Sequence, residues 1–237
     1  MMRKILCYRM AIIFLAILLI FSTVFFALQK EEFVEPWEER LNRIQPPVKI
    51  MDAIGLKEGM VIGDIGAGRG RFTVWFADRV GPKGKVYAND IVENYLHSIE
   101  QRSKRLGFTN VITCLGTVVE PNIPEKVLDI AFMINVYHHL EKPVELLKNL
   151  IPSLKNDGIL VIVERIPEKS RWASEATPKD RLIRQAEEAG YILEKIEKFL
   201  AEDNIYFFKK KGKNNKIEAV PGCSLMNTWC YPNEHLF

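Results

Sequence analysis

VIGDIGAGRGRFT, residues 61–73, decides how the chain is read. Four glycines crowd the end of an apolar run, and Asp64 stands two positions before the second of them. Glycines at 66, 68 and 70 let the backbone come close to a ligand. Free amides opening the helix that follows favour an anionic or carboxylate-bearing group. The spacing excludes two familiar loops. G-x-G-x-x-G fails because Arg71 occupies its sixth place, and no G-K-[ST] follows for a Walker phosphate loop.

On both sides of this loop apolar and amphipathic runs alternate. MVIGDIG, KVYAND, NVITCLG, LDIAFMINV and GILVIVE read as strands, with helices from Arg71, from Val92 and around Val144 to Leu150. Such alternation predicts parallel strands joined by crossover helices. Thr177, Pro178 and Asp180 predict a capped helix start and Gly190 a stop. YILEKIEKF and NIYFFKKK then predict a closing antiparallel pair. The fold class expected is α/β, three-layered and Rossmann-like, with a seven-stranded, mostly parallel sheet. A short helix from Pro47 to Gly55 marks where the globular part begins, behind the charged connector QKEEFVEPWEERLNRIQ.

In an open parallel sheet the ligand site lies beyond the carboxyl ends of the strands, where the first strand turns into its helix. Residues 61–73 are that turn. From Asp64 to Gly70 the pattern is D-x-G-x-G-x-G, and Asp90 closes the second strand 26 residues after Asp64, placed to accept hydrogen bonds from two ribose hydroxyls. Over about residues 47–209 the chain resembles the class I S-adenosylmethionine-dependent methyltransferases. The resemblance rests on GDIGAGRG, VYANDI, TNVITCLG, LDIAFMINVYHHL and LIPSLKNDGILVIVE, in that order. It implies S-adenosylmethionine as cofactor, with Asp64 and Gly66 toward the methionine end, Ala67 and Gly68 lining the loop, Asp90 on the ribose and Ile91 on the adenine. Gly116, Thr117 and Asn135 complete the implied cofactor set. The family often has an acid after the glycine that ends its third strand; Thr117 stands there instead, so a backbone amide or the hydroxyl would serve the adenine.

The reaction implied is methyl transfer to a small or lipid-like acceptor. The [DN]-P-P-[YF] signature of amide and adenine amino-group methylation is missing where INVYHH stands. Within NVYHHLEKP, residues 135–143, Tyr137, His138 and His139 are the candidate catalytic residues. Alternation along a strand would put Tyr137 and His139 on one face, which favours His139 as a base.

Residues 1–33 are different in kind. Met10 to Leu28, MAIIFLAILLIFSTVFFAL, carries no charge and, at ~1.5 Å per residue, nearly crosses a hydrocarbon core as a helix. Phe25 and Phe26 occupy the place of the small residues a cleavage site needs, so the run reads as an N-terminal transmembrane anchor, with a signal sequence as the alternative. Arg3, Lys4 and Arg9 on one side balance Lys30, Arg40 and Arg43 on the other, which leaves topology open. The cofactor favours the cytosolic face for the domain, residues 34–209. An exported, non-catalytic binding domain is the alternative. Residues 210–237 read as a mobile, lysine-containing tail.

The balance of 33 basic against 30 acidic residues argues against nucleic acid as a partner. Cys7, Cys114, Cys223 and Cys230 show no metal-binding spacing, and Cys223 and Cys230 could pair only in an oxidising compartment. Oligomeric state is not legible.

Overall fold

A computed structural model describes residues 34–169 and 176–212. Two short helices, α1 (Glu39–Ile44) and α2 (Pro47–Ala53), lead into β1 (Val61–Ile65), α3 (Arg71–Val80), β2 (Lys85–Asp90), α4 (Glu93–Arg105) and β3 (Val111–Leu115). The second half runs β4 (Leu128–Ile134), α5 (Pro143–Leu150), β5 (Leu154–Arg165), α6 (Lys179–Glu188), β6 (Tyr191–Glu197) and β7 (Asp203–Lys210). The sheet has seven strands in the order β3-β2-β1-β4-β5-β7-β6. Strands β1 to β5 pair in parallel, whereas β7 is antiparallel to both β5 and β6. The expected α/β sheet with its antiparallel ending is the one found.

The central strands are buried on both faces, which is why they read as unbroken apolar runs. In β4, Ile130 and Phe132 point to one layer with Phe72 and Phe76 of α3, Ile50 and Met51 of α2. Ala131 and Met133 point to the other, against Leu146 and Leu147 of α5 and Leu182 of α6. Phe132 meets Phe72 and Phe76 at ring-centroid distances of 5.3 and 5.0 Å, the latter edge to face. These contacts hold α3 and its preceding loop flat on the sheet.

The strand order reverses between β1 and β4: β2 and β3 lie to one side, β4 and β5 to the other. That switch point opens a crevice at the carboxyl ends of the strands, and the glycine loop lies in it.

Three expectations are corrected. The globular part begins before Pro47, because Glu38 is fully buried against Arg102 of α4, with Nη1 to Oε1 at 2.6 Å. Helix α6 starts after Pro178 without a side-chain cap. Strand β4 ends at Ile134, and Tyr137–His139 form a 3₁₀ turn, so strand alternation does not govern those three side chains. The expected membrane segment, residues 10–28, and the tail beyond residue 212, with Cys223 and Cys230, lie outside the described residues. Among the described residues no helix is long and apolar enough to cross a membrane, and no cluster of side chains is built to hold a metal ion.

Candidate active site

The glycine loop is shaped by close approaches that only glycine permits. Gly66 has φ +72°, and a Cβ there would fall 2.3 Å from Cγ2 of Val136. Gly68, at φ +55°, faces open space, so its backbone is free for a ligand to approach. The amides of Gly66 and Ala67 both donate to the carbonyl of Asn89, each at 2.9 Å, tying the loop to β2.

Asp90 is fastened to the same loop. Its Oδ2 accepts from the Gly68 amide at 2.8 Å and its Oδ1 from the Val92 amide at 2.9 Å. Each oxygen keeps a lone pair for a ligand hydroxyl. Asp90, Ile91 and Thr117 line one cleft beside Gly66. Ile91 is 58% exposed there, an apolar side chain presented rather than packed away. The Thr117 hydroxyl accepts from the Glu120 amide at 3.0 Å, and Gly116 leaves room for Asn89, whose amide nitrogen would lie 2.6 Å from any Cβ.

A second cleft opens on the other side of Gly66. Asp64, Gly68, Arg71, Asn135, Trp37 and Leu41 lie around it. Asp64 is 1% exposed, and burial pushes its carboxyl up to about 6 despite the Thr73 hydroxyl, which donates to Oδ2 at 2.6 Å, and the nearby Arg71 charge. Asn135 takes a left-handed conformation, φ +56°, at the end of β4. Its amide exchanges two hydrogen bonds with that of Gln45, at 2.9 and 3.0 Å.

The three candidate catalytic residues point different ways. Tyr137 is buried, and its hydroxyl donates to Gln185 of α6 at 3.2 Å. Burial raises its pKa far above the usual phenol value. His139 lines the cleft that holds Asp90 and Ile91. His138 turns inward, its side chain 1% exposed, with Nδ1 2.9 Å from Oε1 of Glu164 at the end of β5. Its Nε2 is buried with no hydrogen-bond partner among the described residues. Oδ1 of Asp203 and Oδ1 of Asn204 are likewise buried without a partner among the described residues. They stand at the start of β7, opposite Arg165 and Glu164 respectively in the strand register. Sequence reasoning missed Gln45, Asp203 and Glu164. Only Glu164 left a signal, a charge closing the apolar run GILVIVE.

The sheet order and the two clefts around one glycine loop define the class of proteins that bind a nucleoside cofactor at the switch point of a Rossmann-like sheet. A family model described as a methyltransferase domain matches residues 56–210, and the chain belongs to that family. The demethylmenaquinone methyltransferase of Geobacillus stearothermophilus is 29% identical over 115 residues, 48% of this chain and 49% of that one. The chain therefore spans about half the length of the curated relatives it matches. Among solved structures, a SAM dependent methyltransferase from Aquifex aeolicus superposes with a TM-score of 0.68 at 25% identity, over 73% of this chain and 93% of that one. A TehB-like SAM-dependent methyltransferase from Corynebacterium glutamicum shares the fold, with a TM-score of 0.56 at 18% identity over 78% and 99%.

S-adenosylmethionine is the cofactor of this family, and the residues present fit it. Asp90 offers a carboxylate already oriented by two amides, Ile91 an apolar face, Asp64 an acid and Gly68 an open backbone, all along one edge of the sheet.

Proposed function

We propose that the protein transfers the methyl group of S-adenosylmethionine to a small, apolar acceptor drawn from a membrane. The observation that carries the reading is the pair of clefts meeting at Gly66, one with Asp90 and Ile91, the other with Asp64 and Asn135. When bound, the cofactor supplies an electrophilic methyl group for in-line displacement, a reaction in which alignment contributes most of the rate. Asp90 holds the ribose, Ile91, Thr117 and His139 flank the nucleoside, and Asp64 faces the amino-acid end.

For the acceptor, three features support the reading. Trp37 and Leu41 put apolar surface on the second cleft. The segment that carries them follows the uncharged run of residues 10–28 after only eight residues. Relatives matched over half their length are named for demethylmenaquinone. His138 is the base in this reading. Glu164 accepts its Nδ1–H, which leaves the lone pair on Nε2, buried in the ligand-free fold, to take a proton once acceptor binding uncovers it. Residues 10–28 anchor the chain in a membrane, and the domain faces the cytosol, where the cofactor is made.

The test uses the full chain in vesicles with methyl-tritiated S-adenosylmethionine. A demethylated quinol in the bilayer should become labelled, and a soluble catechol should not. Cofactor binding without transfer to the quinol would withdraw the acceptor class. Absence of cofactor binding would withdraw the reading altogether. Protease protection in sealed vesicles places the domain on one side or the other.

A further inference from the structure

Arg71 is a buried cation that forms no ion pair among the described residues. It opens α3 directly behind the glycine loop, is 6% exposed and lies on the cleft with Asp64 and Gly68. Its Nη1 donates to Oδ1 of Asn42 at 3.2 Å and its Nη2 to Oε1 of Gln45 at 2.6 Å, both neutral amide oxygens. Among the described residues no carboxylate forms an ion pair with it. Glu38, Asp64 and Asp203 act on it only through space, and burial outweighs them, bringing its pKa down to about 10. A guanidinium held out of water without a counter-ion is costly unless a ligand supplies the missing charge.

Gln45 fixes where that guanidinium points. Its side-chain oxygen accepts from both Arg71 and Asn135, and its nitrogen donates to Oδ1 of Asn135 and Oδ2 of Asp203. With both ends of the amide engaged and the residue 2% exposed, Gln45 has one orientation. Asn42 and Gln45 both precede residue 56, where the match to the methyltransferase domain begins.

We propose that Asn42 and Gln45 complete the cofactor site from outside the family-matched domain, aiming the Arg71 guanidinium at the carboxylate of the cofactor's methionine end. The cleft then meets a zwitterion with a zwitterion, Arg71 for the carboxylate and Asp64 for the ammonium group. Arg71 retains N–H groups not used by Asn42 and Gln45, and a planar guanidinium suits a carboxylate. The inference rests on S-adenosylmethionine as the ligand, as proposed above.

Calorimetry on the full chain should compare S-adenosylmethionine with its decarboxylated form, which keeps the ammonium group and the nucleoside but lacks the carboxylate. Arg71→Met should weaken the first by about 30-fold and the second by less than about threefold, the loss of charge-assisted bonds to one group. Gln45→Ala should change the same ratio in the same direction by about fivefold, because Arg71 stays charged but unaimed. Should Arg71→Met fail to fold by circular dichroism, Gln45→Ala carries the same comparison. Equal weakening of both ligands would mean that Arg71 and Gln45 only brace the fold, and would overturn the proposal, as would unchanged affinity for both. If the unaltered chain binds neither ligand, the cofactor reading itself fails, a result distinct from an unmoved ratio.

Discussion

The Thr73 hydroxyl reaches Oδ2 of Asp64 at 2.6 Å, yet it does not offset the loss of water around that carboxyl, whose pKa stays near 6. The native value lies above the ordinary 3.8, so between these two values the folded chain binds more protons than the unfolded one. Stability from this group is complete below pH 4 and is lost as pH rises through about 6, a difference on the order of 3 kcal/mol. Asp64→Asn should therefore stabilise the ligand-free protein at pH 7 and flatten its stability between pH 4 and 7, as followed by urea unfolding. The same variant should bind S-adenosylmethionine at least about tenfold more weakly, since an ion pair with the ammonium group is lost. In the unaltered protein, binding at pH 6 should release protons, detectable as a buffer-dependent heat.

Asp90 accepts two loop amides and faces a cleft, so its removal costs both ligand and loop. Asp90→Ala should weaken cofactor binding by ~2 to 4 kcal/mol in calorimetry. Unchanged affinity in a folded variant would remove Asp90 from the site.

Glu164→Gln tests the base. A glutamine amide can donate to Nδ1 of His138, reversing the tautomer and placing the proton on Nε2, where it blocks acceptance of another. Turnover should fall about 100-fold or more, as in His138→Ala, with little further loss in the double variant. Cofactor affinity should hold, because His138 lies on neither cleft wall described for the cofactor. Losses under about tenfold in both single variants, with an unaltered pH profile, would leave alignment alone as the account.

Glu38 and Arg102 form a buried pair across 64 positions of sequence, fixing the segment that carries Asn42 and Gln45. Glu38→Gln should destabilise the protein by about 3 to 5 kcal/mol, because it leaves a guanidinium out of water with a weakened partner. Unfolding monitored by tryptophan fluorescence, with Trp37 close by, would measure it.

The sheet was legible because its central strands are apolar throughout and its helices are not. Loop, Asp64 and Asp90 were legible because nucleoside binding at a switch point demands glycine and acid at set distances. The catalytic stretch was less so. Period-two alternation holds only while a strand continues, and the left-handed turn at Asn135 ends it, sending His138 inward and His139 to the cleft. Glu38 and Gln45 could not be picked out of a connector rich in charge, since burial by partners 64 and 90 positions away leaves no local pattern.

Because β7 runs against its neighbours, it begins at the clefts with Asp203 and ends at Lys210 on the opposite rim of the sheet, about 24 Å away for eight residues. The two termini of the domain thus have unequal standing toward ligand traffic. A fluorophore, affinity handle or fused partner placed after Lys210 departs from the rear and leaves the entrance open. The same addition just ahead of Glu35 sits at the doorway, a few residues from Trp37 and Leu41. Labelling schemes, immobilisation on a sensor surface and choice of fusion end should follow that polarity.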